Sequence, residues 1–297
     1  MIYYRQKVLL ALLDALGGSV PATDFQKHLF MFTTLCEREK SYDFVPYKFG
    51  CYSFQASADK KKLIEKGYLA DIKGWELEKP ELNFSNGLKN GDANKLQLFV
   101  ERYGKMKGKD LIRHVYKSYP FYAINSEIAG EYLSVDELIE IEKARPEATE
   151  ATLFATIGYE GGSIESYVNR LIKTDVRLLV DVRKNPISRK YGFSKRTLSS
   201  LLGRLGIEYT HIPELGIEST DRQQLENQSD YDRLFDKYES TVLVKQNKAL
   251  EQLYQLLKTE QRIAITCFEK EHHQCHRSRV ANAIESLSNN EVKSVHL

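Results

Sequence analysis

The sequence predicts two domains: a mainly helical one, then an α/β domain with a mostly parallel sheet and helices on both faces. Three observations predict this. The chain has 297 residues, a length that suggests about two domains. Its first part reads as helix, helix, helix and then a β-ribbon. After Leu153, apolar strand-like runs alternate with amphipathic helical stretches, the order that yields parallel strands joined by crossover helices.

In the N-terminal half, residues 5–16 place Val8, Leu9, Leu12, Leu13 and Leu16 at helical spacing, and Gly17-Gly18 stops that helix. A second helix, with Thr23 as its expected cap, carries Phe25, Leu29, Phe30, Phe32 and Leu35. Phe44 to Ser53 reads as extended and aromatic-rich, with a turn at Gly50. Residues 55–66 return to a basic helix bearing Lys60, Lys61, Lys62 and Lys66, and residues 68–77 read as a ribbon turning at Lys73-Gly74. This is the order of a winged helix-turn-helix interrupted by one extended segment. Such modules contact nucleic acid or serve docking and dimerisation, so Lys60, Lys61 and Lys62 read either as nucleic-acid contacts or as a solvated helix face. Helical stretches follow at 94–106 and 109–117, and Tyr116, Tyr119, Phe121 and Tyr122 read as packing groups. An acidic helix and a Pro-containing polar stretch over 134–152 mark the linker. They place the boundary near Glu150, with domains of 1–150 and 151–297.

In the C-terminal half, Leu153–Gly158 is an apolar strand ending in a glycine turn, and Ser163 caps a helix with Ile164, Tyr167, Val168 and Leu171 on one face. Leu178–Arg183 has the near-continuous apolar run of a strand buried on both faces. Ser194 is the expected cap of the next helix, a third strand spans 207–212, and a helix over 245–258 leads to the strand Arg262–Cys267. A last helix starts near His276. Parallel sheets of this kind gather functional groups at the carboxyl edge. Three strand ends there are rich in polar groups: Gly158-Tyr159-Glu160, then Asp181 with Arg183, Asn185 and Arg189, then Cys267 through Arg279.

Composition bounds the function. Hydrophobic residues at 42% and charged ones at 28% are ordinary for a globular chain and argue against disorder. No apolar run approaches the roughly 18 residues of a membrane span, and the first residues lack a signal-peptide cleavage site. Four scattered cysteines make no disulfide framework, which points to a reduced, cytoplasmic protein. The net charge of +2 argues against a polyanion partner only until its distribution is read. Between Asp181 and Glu208 lie seven basic residues and no acidic ones.

The segments Thr156–Gly161, Val180–Pro186, Phe193–Lys195, Tyr209 with Pro213–Gly216, and Cys275-His276-Arg277 resemble, in order, the signature stretches of the domain of unknown function 488 family. The likeness covers about residues 150–290, and Phe44–Ser53 is similar to a winged-helix-like extension of a longer branch. The resemblance implies a Rossmann-like α/β domain of bacterial type, often found beside nucleic-acid or mobile-element functions. It supplies no reaction.

The residues themselves point first to an anion site. Gly158, Tyr159, Arg183, Arg189 and Arg277 are the candidate phosphate ligands, and Lys195 and Arg196 the candidate nucleic-acid contacts of this domain. Asp181, Glu269, His276 and Cys267 are the candidate catalytic groups, with Glu160 a further carboxylate. Asp181 also reads, and somewhat better, as a partner that orients Arg183 or Arg277 by a salt bridge. Cys267 or Cys275 beside His276 suits thiol chemistry, although the Cys-x5-Arg loop of cysteine phosphatases is absent. No cofactor is evident. Two carboxylates with a phosphate would suit Mg²⁺, and Cys267, His272, His273, Cys275 and His276 offer donors for Zn²⁺ without a standard spacing. The expected partner is nucleic acid or a nucleotide, with no membrane, and a homo-oligomer is compatible with the sequence. The leading expectation is a nucleic-acid-associated enzyme acting on a nucleotide or nucleic-acid bond. The alternatives are a non-catalytic, nucleotide-sensing DNA-binding regulator and cysteine-based chemistry.

Overall fold

The structure is a computed structural model describing residues 2–79, 84–89, 91–218 and 227–297. It divides into two compact units, Met1–Arg145 and Pro146–Leu297.

The N-terminal unit opens with α1 (Tyr4–Ala15), β1 (Ser19–Val20) and α2 (Ala22–Leu35). Pro21 stands at the N-cap of α2, so the helix begins before Thr23 rather than being capped by it. A hairpin of β2 (Val45–Tyr47) and β3 (Gly50–Tyr52) follows. Gly50 has φ +92, and a Cβ there would meet the Tyr116 ring at 2.5 Å, so only glycine fits this turn. Next come α3 (Phe54–Glu65), capped by the Ser53 hydroxyl, and β4 (Trp75–Glu76). β4 pairs antiparallel with β1, and Leu69 bridges Leu77 to close the ribbon. Helix, strand, helix, helix and ribbon is thus the observed order, with the hairpin inserted before the third helix. Buried Asp59 of α3 ties the unit together, accepting from Arg5 Nε at 2.6 Å, Gln6 Nε2 at 2.9 Å and Tyr42 Oη at 3.1 Å. The unit finishes with α4 (Asp92–Tyr103), α5 (Gly108–Ser118), α6 (Ala129–Tyr132) and α7 (Val135–Lys143), the last held by a Ser134/Glu137 capping box.

The C-terminal unit is built from β5 (Leu153–Gly158), α8 (Ile164–Lys173), β6 (Leu178–Asp181), α9 (Lys195–Gly203) and β7 (Glu208–His211). It continues through α10 (Gln228–Thr241), α11 (Asn247–Glu260), β8 (Arg262–Cys267), α12 (Arg277–Leu287) and β9 (Ser294–His296). The five strands are all parallel, in the order β7-β6-β8-β5-β9. One face packs on α10, α11 and α12 through Phe154, Val180, Ile263 and Ile265. On the other, Tyr167 of α8 donates to Thr266 Oγ1 at 2.8 Å. The order and the alternation match the α/β architecture read from the sequence. Two elements were not legible there: α10, whose residues are largely polar, and β9, a short edge strand.

The connections from β5 and β6 run toward β7, whereas those from β7 and β8 run back toward β9. The direction therefore reverses on both sides of β8, and crevices open at the carboxyl ends of those neighbouring strands. Register brings these ends level, pairing Gly158 with Cys267 and Asp181 with both Thr266 and His211. Among the described residues, no helix is long and apolar enough to cross a membrane.

At the opposite end of the sheet, buried Arg262 donates to the carbonyls of Asp175, Ala151 and Thr174 at 2.9, 2.7 and 2.7 Å and pairs with the Asp175 carboxylate at 3.0 Å. Arg262→Met removes all of these at once, and should destabilise the unit by about 3 kcal/mol in urea unfolding, with an unchanged m value.

The β9 edge should respond to pH. His296 Nδ1 lies 2.8 Å from Thr156 Oγ1, and its ring stacks on His272 at 3.7 Å. Burial first, then the charge of a neighbouring ring (His273 for His272, His272 for His296) and Arg277, hold both imidazoles below their ordinary value. A depressed folded value means that stability is present above about pH 6.5 and lost as pH falls, because the detached strand takes up protons more readily. Hydrogen-exchange protection of β9 should therefore fall between about pH 7 and pH 5, and His296→Asn should flatten that dependence.

Candidate functional site

Asp181 ends β6 fully buried, and its charge must be satisfied where it stands. Arg183, two residues on, answers it: Nε donates to Oδ1 at 2.8 Å, Nη2 to Oδ2 at 2.5 Å, and the Arg183 amide to Oδ1 at 3.1 Å. Tyr209 Oη, from β7, adds a bond to Oδ2 at 2.7 Å. The remaining guanidinium nitrogen donates to Tyr159 Oη at 2.8 Å and to the Phe193 carbonyl at 2.9 Å. Burial works against the Arg183 charge, but the bonds and attraction to Asp181 outweigh it and raise its pKa. Burial and the same carboxylate push the Tyr209 phenol well up, so it is a fixed donor. Tyr159 lies flat on Phe193, ring centroids 4.2 Å apart, under the Arg183 guanidinium. The sequence expectation of Asp181 as either base or orienting partner thus meets a carboxylate whose two oxygens hold Arg183 and Tyr209.

Arg277, at the start of α12, is also buried. It donates to the Glu269 carbonyl at 2.5 Å and the Lys270 carbonyl at 2.8 Å, with Nε 3.4 Å from Thr156 Oγ1. It therefore clamps the loop after β8. Gly158 lies against the same loop, where a Cβ would sit 1.8 Å from the Glu269 carbonyl oxygen. Both residues were expected as phosphate ligands, and the structure places them where they set the loop's position.

A cleft of about 330 Å³ opens between these strand ends. Of the residues singled out from sequence, Tyr159, Arg183, Arg189, Cys267 and His276 line it, whereas Asp181, Gly158, Glu269 and Arg277 do not. Lys184, Asn185 and Ser188 complete its polar wall, and Ile187, Ile217 and Phe268 its apolar one. Ile217 and Phe268 were missed by sequence reasoning, since single apolar residues in loops give no periodic signal. Lys184 was visible only as part of the basic run, and its pair with Glu218 at 3.2 Å is partly exposed.

His276 forms part of the cleft lining beside Cys267. Its Nε2 lies 3.0 Å from the Val182 carbonyl, an acceptor, so Nε2 carries the proton and Nδ1 is left bare. Nδ1 faces Cys267 Sγ at 3.6 Å and Cys275 Sγ at 4.0 Å. Cys267 Sγ in turn donates to Glu269 Oε2 at 3.3 Å. Burial, then the neighbouring thiol and carboxylate, push the Cys275 thiol well up. His272 and His273 stand apart from this cluster, His272 stacked on His296.

Lys195 and Arg196 border a second cleft of about 740 Å³, with Tyr209 and His211. Lys195 donates to His211 Nδ1 at 3.1 Å, and His211 Nε2 to the Arg183 carbonyl at 2.8 Å. Ser194 stands at the N-cap of α9, but its hydroxyl donates to the Ser188 carbonyl and accepts the Ser188 amide instead of capping the helix. In the N-terminal unit Lys61 and Lys62 are exposed. Lys60 bends back to the carbonyls of Ile72 at 2.8 Å and Gly74 at 2.5 Å and lies over the Trp75 ring, fastening the ribbon turn.

The placement of Gly158 is testable. Gly158→Ala should displace the 268–270 loop and lower the thermal midpoint of the C-terminal unit by several degrees, an overpacking cost of about 1–3 kcal/mol. Alanine at exposed Gly203, where an added Cβ meets nothing within 4 Å, should not.

No curated protein and no solved structure matches the chain. A family model does match over residues 163–284, from the cap of α8 into α12, a span that holds Asp181, Arg183, Arg189, Cys267, His276 and Arg277. The family is described as a domain of unknown function, DUF488, and the C-terminal half of this chain is a domain of that family.

Proposed function

We propose that the C-terminal unit binds a phosphate-bearing group, part of a nucleotide or of nucleic acid, in the cleft at the ends of β5, β6 and β8. In this reading the protein is a nucleic-acid-associated enzyme whose N-terminal unit provides docking. The observation that carries the reading is the cleft's lining. Lys184 and Arg189 present cations at its wall, Asn185 and Ser188 add neutral polar groups, and Tyr159 offers an aromatic wall. Such a lining suits a ligand with an anionic end and a planar or apolar end.

The division of labour follows from burial. Arg183 is balanced by Asp181, so the pair adds a fixed dipole and no net charge at the cleft, and its geometry needs no reorganisation when an anion arrives. Exposed Arg189 and half-exposed Lys184 are the groups that reach the ligand. His276 and Cys267 also lie in the lining, next to what is bound. Asp181, with both oxygens engaged, keeps the arginine in place.

Binding of this kind is electrostatic and salt-dependent. The test is titration of the full chain with labelled nucleotides and with single- and double-stranded DNA and RNA, at several salt concentrations. Lys184→Ala with Arg189→Ala should weaken binding across sequences and reduce the slope against log salt by about 2. Lys61→Ala with Lys62→Ala should affect nucleic acid but not free nucleotide. Absent binding, or binding insensitive to salt, would overturn the reading.

A further inference from the structure

Three side chains under the cleft are not explained by anion binding. Cys267 ends β8, Cys275 lies in the loop that follows, and His276 is the N-cap of α12. Their Sγ, Sγ and Nδ1 atoms all lie within 4.8 Å of one another, and all three residues are buried. One unprotonated ring nitrogen thus faces two sulfur atoms.

The spacing of these three atoms fits a divalent metal. Zn–S bonds of about 2.3 Å and Zn–N bonds of about 2.0 Å in a tetrahedron separate the ligand atoms by about 3.5–3.8 Å. The observed Sγ to Nδ1 separations of 3.6 and 4.0 Å are close to those edges. The tautomer is also the one that metal ligation requires. A ligating histidine donates its other ring N–H, commonly to a backbone carbonyl, and His276 Nε2 has the Val182 carbonyl at 3.0 Å. Arg277, donating to the Glu269 and Lys270 carbonyls, holds the loop between the two cysteines in place before any ion arrives.

We propose that Cys267 Sγ, Cys275 Sγ and His276 Nδ1 bind one zinc ion, with its fourth position on the side of the cleft that Cys267 and His276 line. Binding forms two Zn–S bonds and one Zn–N bond, displaces water from the hydrated ion and releases the two thiol protons to solvent. Two thiolates, a neutral imidazole and Zn²⁺ sum to zero charge, which a buried position favours. Soft sulfur donors select zinc and not magnesium, so of the two ions considered from sequence only zinc fits these three residues. The proposal rests on these side chains and does not require the cleft's ligand to be a phosphate.

The test uses the full chain purified under reducing conditions without chelator. Elemental analysis should find one zinc per chain. Cobalt titration of the stripped protein should give a thiolate-to-cobalt charge-transfer band of tetrahedral type, with two protons released per ion. Cys267→Ser, Cys275→Ser and His276→Gln should each weaken binding by more than the roughly 10–100-fold that loss of an outer partner costs. The paired change His272→Asn and His273→Asn should leave it intact. If a cysteine variant fails to fold, the wild-type cobalt band and proton count decide alone. Absence of the band in reduced, folded protein would overturn the proposal. So would its survival in folded Cys275→Ser, or a Cys267–Cys275 disulfide recovered from protein that takes up no metal. None of these results depends on nucleotide or nucleic-acid binding, so the two readings fail separately.

Discussion

The buried pair of Asp181 and Arg183 governs the geometry of the C-terminal unit's functional edge. Taking two charges out of water costs several kcal/mol per ion, and the attraction between them offsets that only if every remaining lone pair and N–H finds a partner. Here the partners come from three places: Tyr209 on β7, Tyr159 after β5 and the Phe193 carbonyl before α9. Satisfying one ion pair therefore fixes the relative positions of three strand ends and the loop between them. The pair itself carries no net charge, so the positive charge of the cleft wall comes from Lys184 and Arg189, which lie nearer solvent.

A second constraint acts from the neighbouring strand. Gly158 permits the loop after β8 to approach β5 closely, and Arg277 then takes up carbonyls that the loop would otherwise bury without partners. Because that loop carries Cys267 at one end and Cys275-His276 at the other, its conformation decides whether the sulfur and nitrogen atoms converge. Two residues that look like ligands in the sequence are thus the supports on which the ligand-bearing loop rests. The distinction is physical: a guanidinium enclosed by protein carbonyls has already exchanged its water for them.

The N-terminal unit shows a similar division. Asp59 draws α1, α3 and the segment around Tyr42 together by accepting four hydrogen bonds at its buried carboxylate. Lys60, next to it in sequence, points the other way and fastens the ribbon turn, which leaves Lys61 and Lys62 as the exposed cations of the cluster. Three adjacent lysines are equivalent as composition. They become different once the helix turns each by about 100° and one of them meets a set of carbonyls.

Local chemistry determined a good deal by itself. Apolar runs such as Leu178–Val182, the Ser163 cap and the strand–helix alternation specify the parallel sheet, and its carboxyl edge follows from connection geometry. The basic stretch 182–207 located the positive wall, despite a net charge of +2. Helix α10 and strand β9 escaped, because a polar helix and a three-residue edge strand are stabilised by what they pack on and not by their own periodicity. Only the tertiary structure decided which charged residues face inward. Arg183, Arg189 and Arg277 are alike in the sequence, yet burial and their partners make Arg277 a clamp and Arg183 half of a buried ion pair, and leave Arg189 exposed at the cleft wall. The convergence of Cys267 with Cys275 and His276 was likewise decided in space, since sequence separation says nothing of how a loop closes on itself.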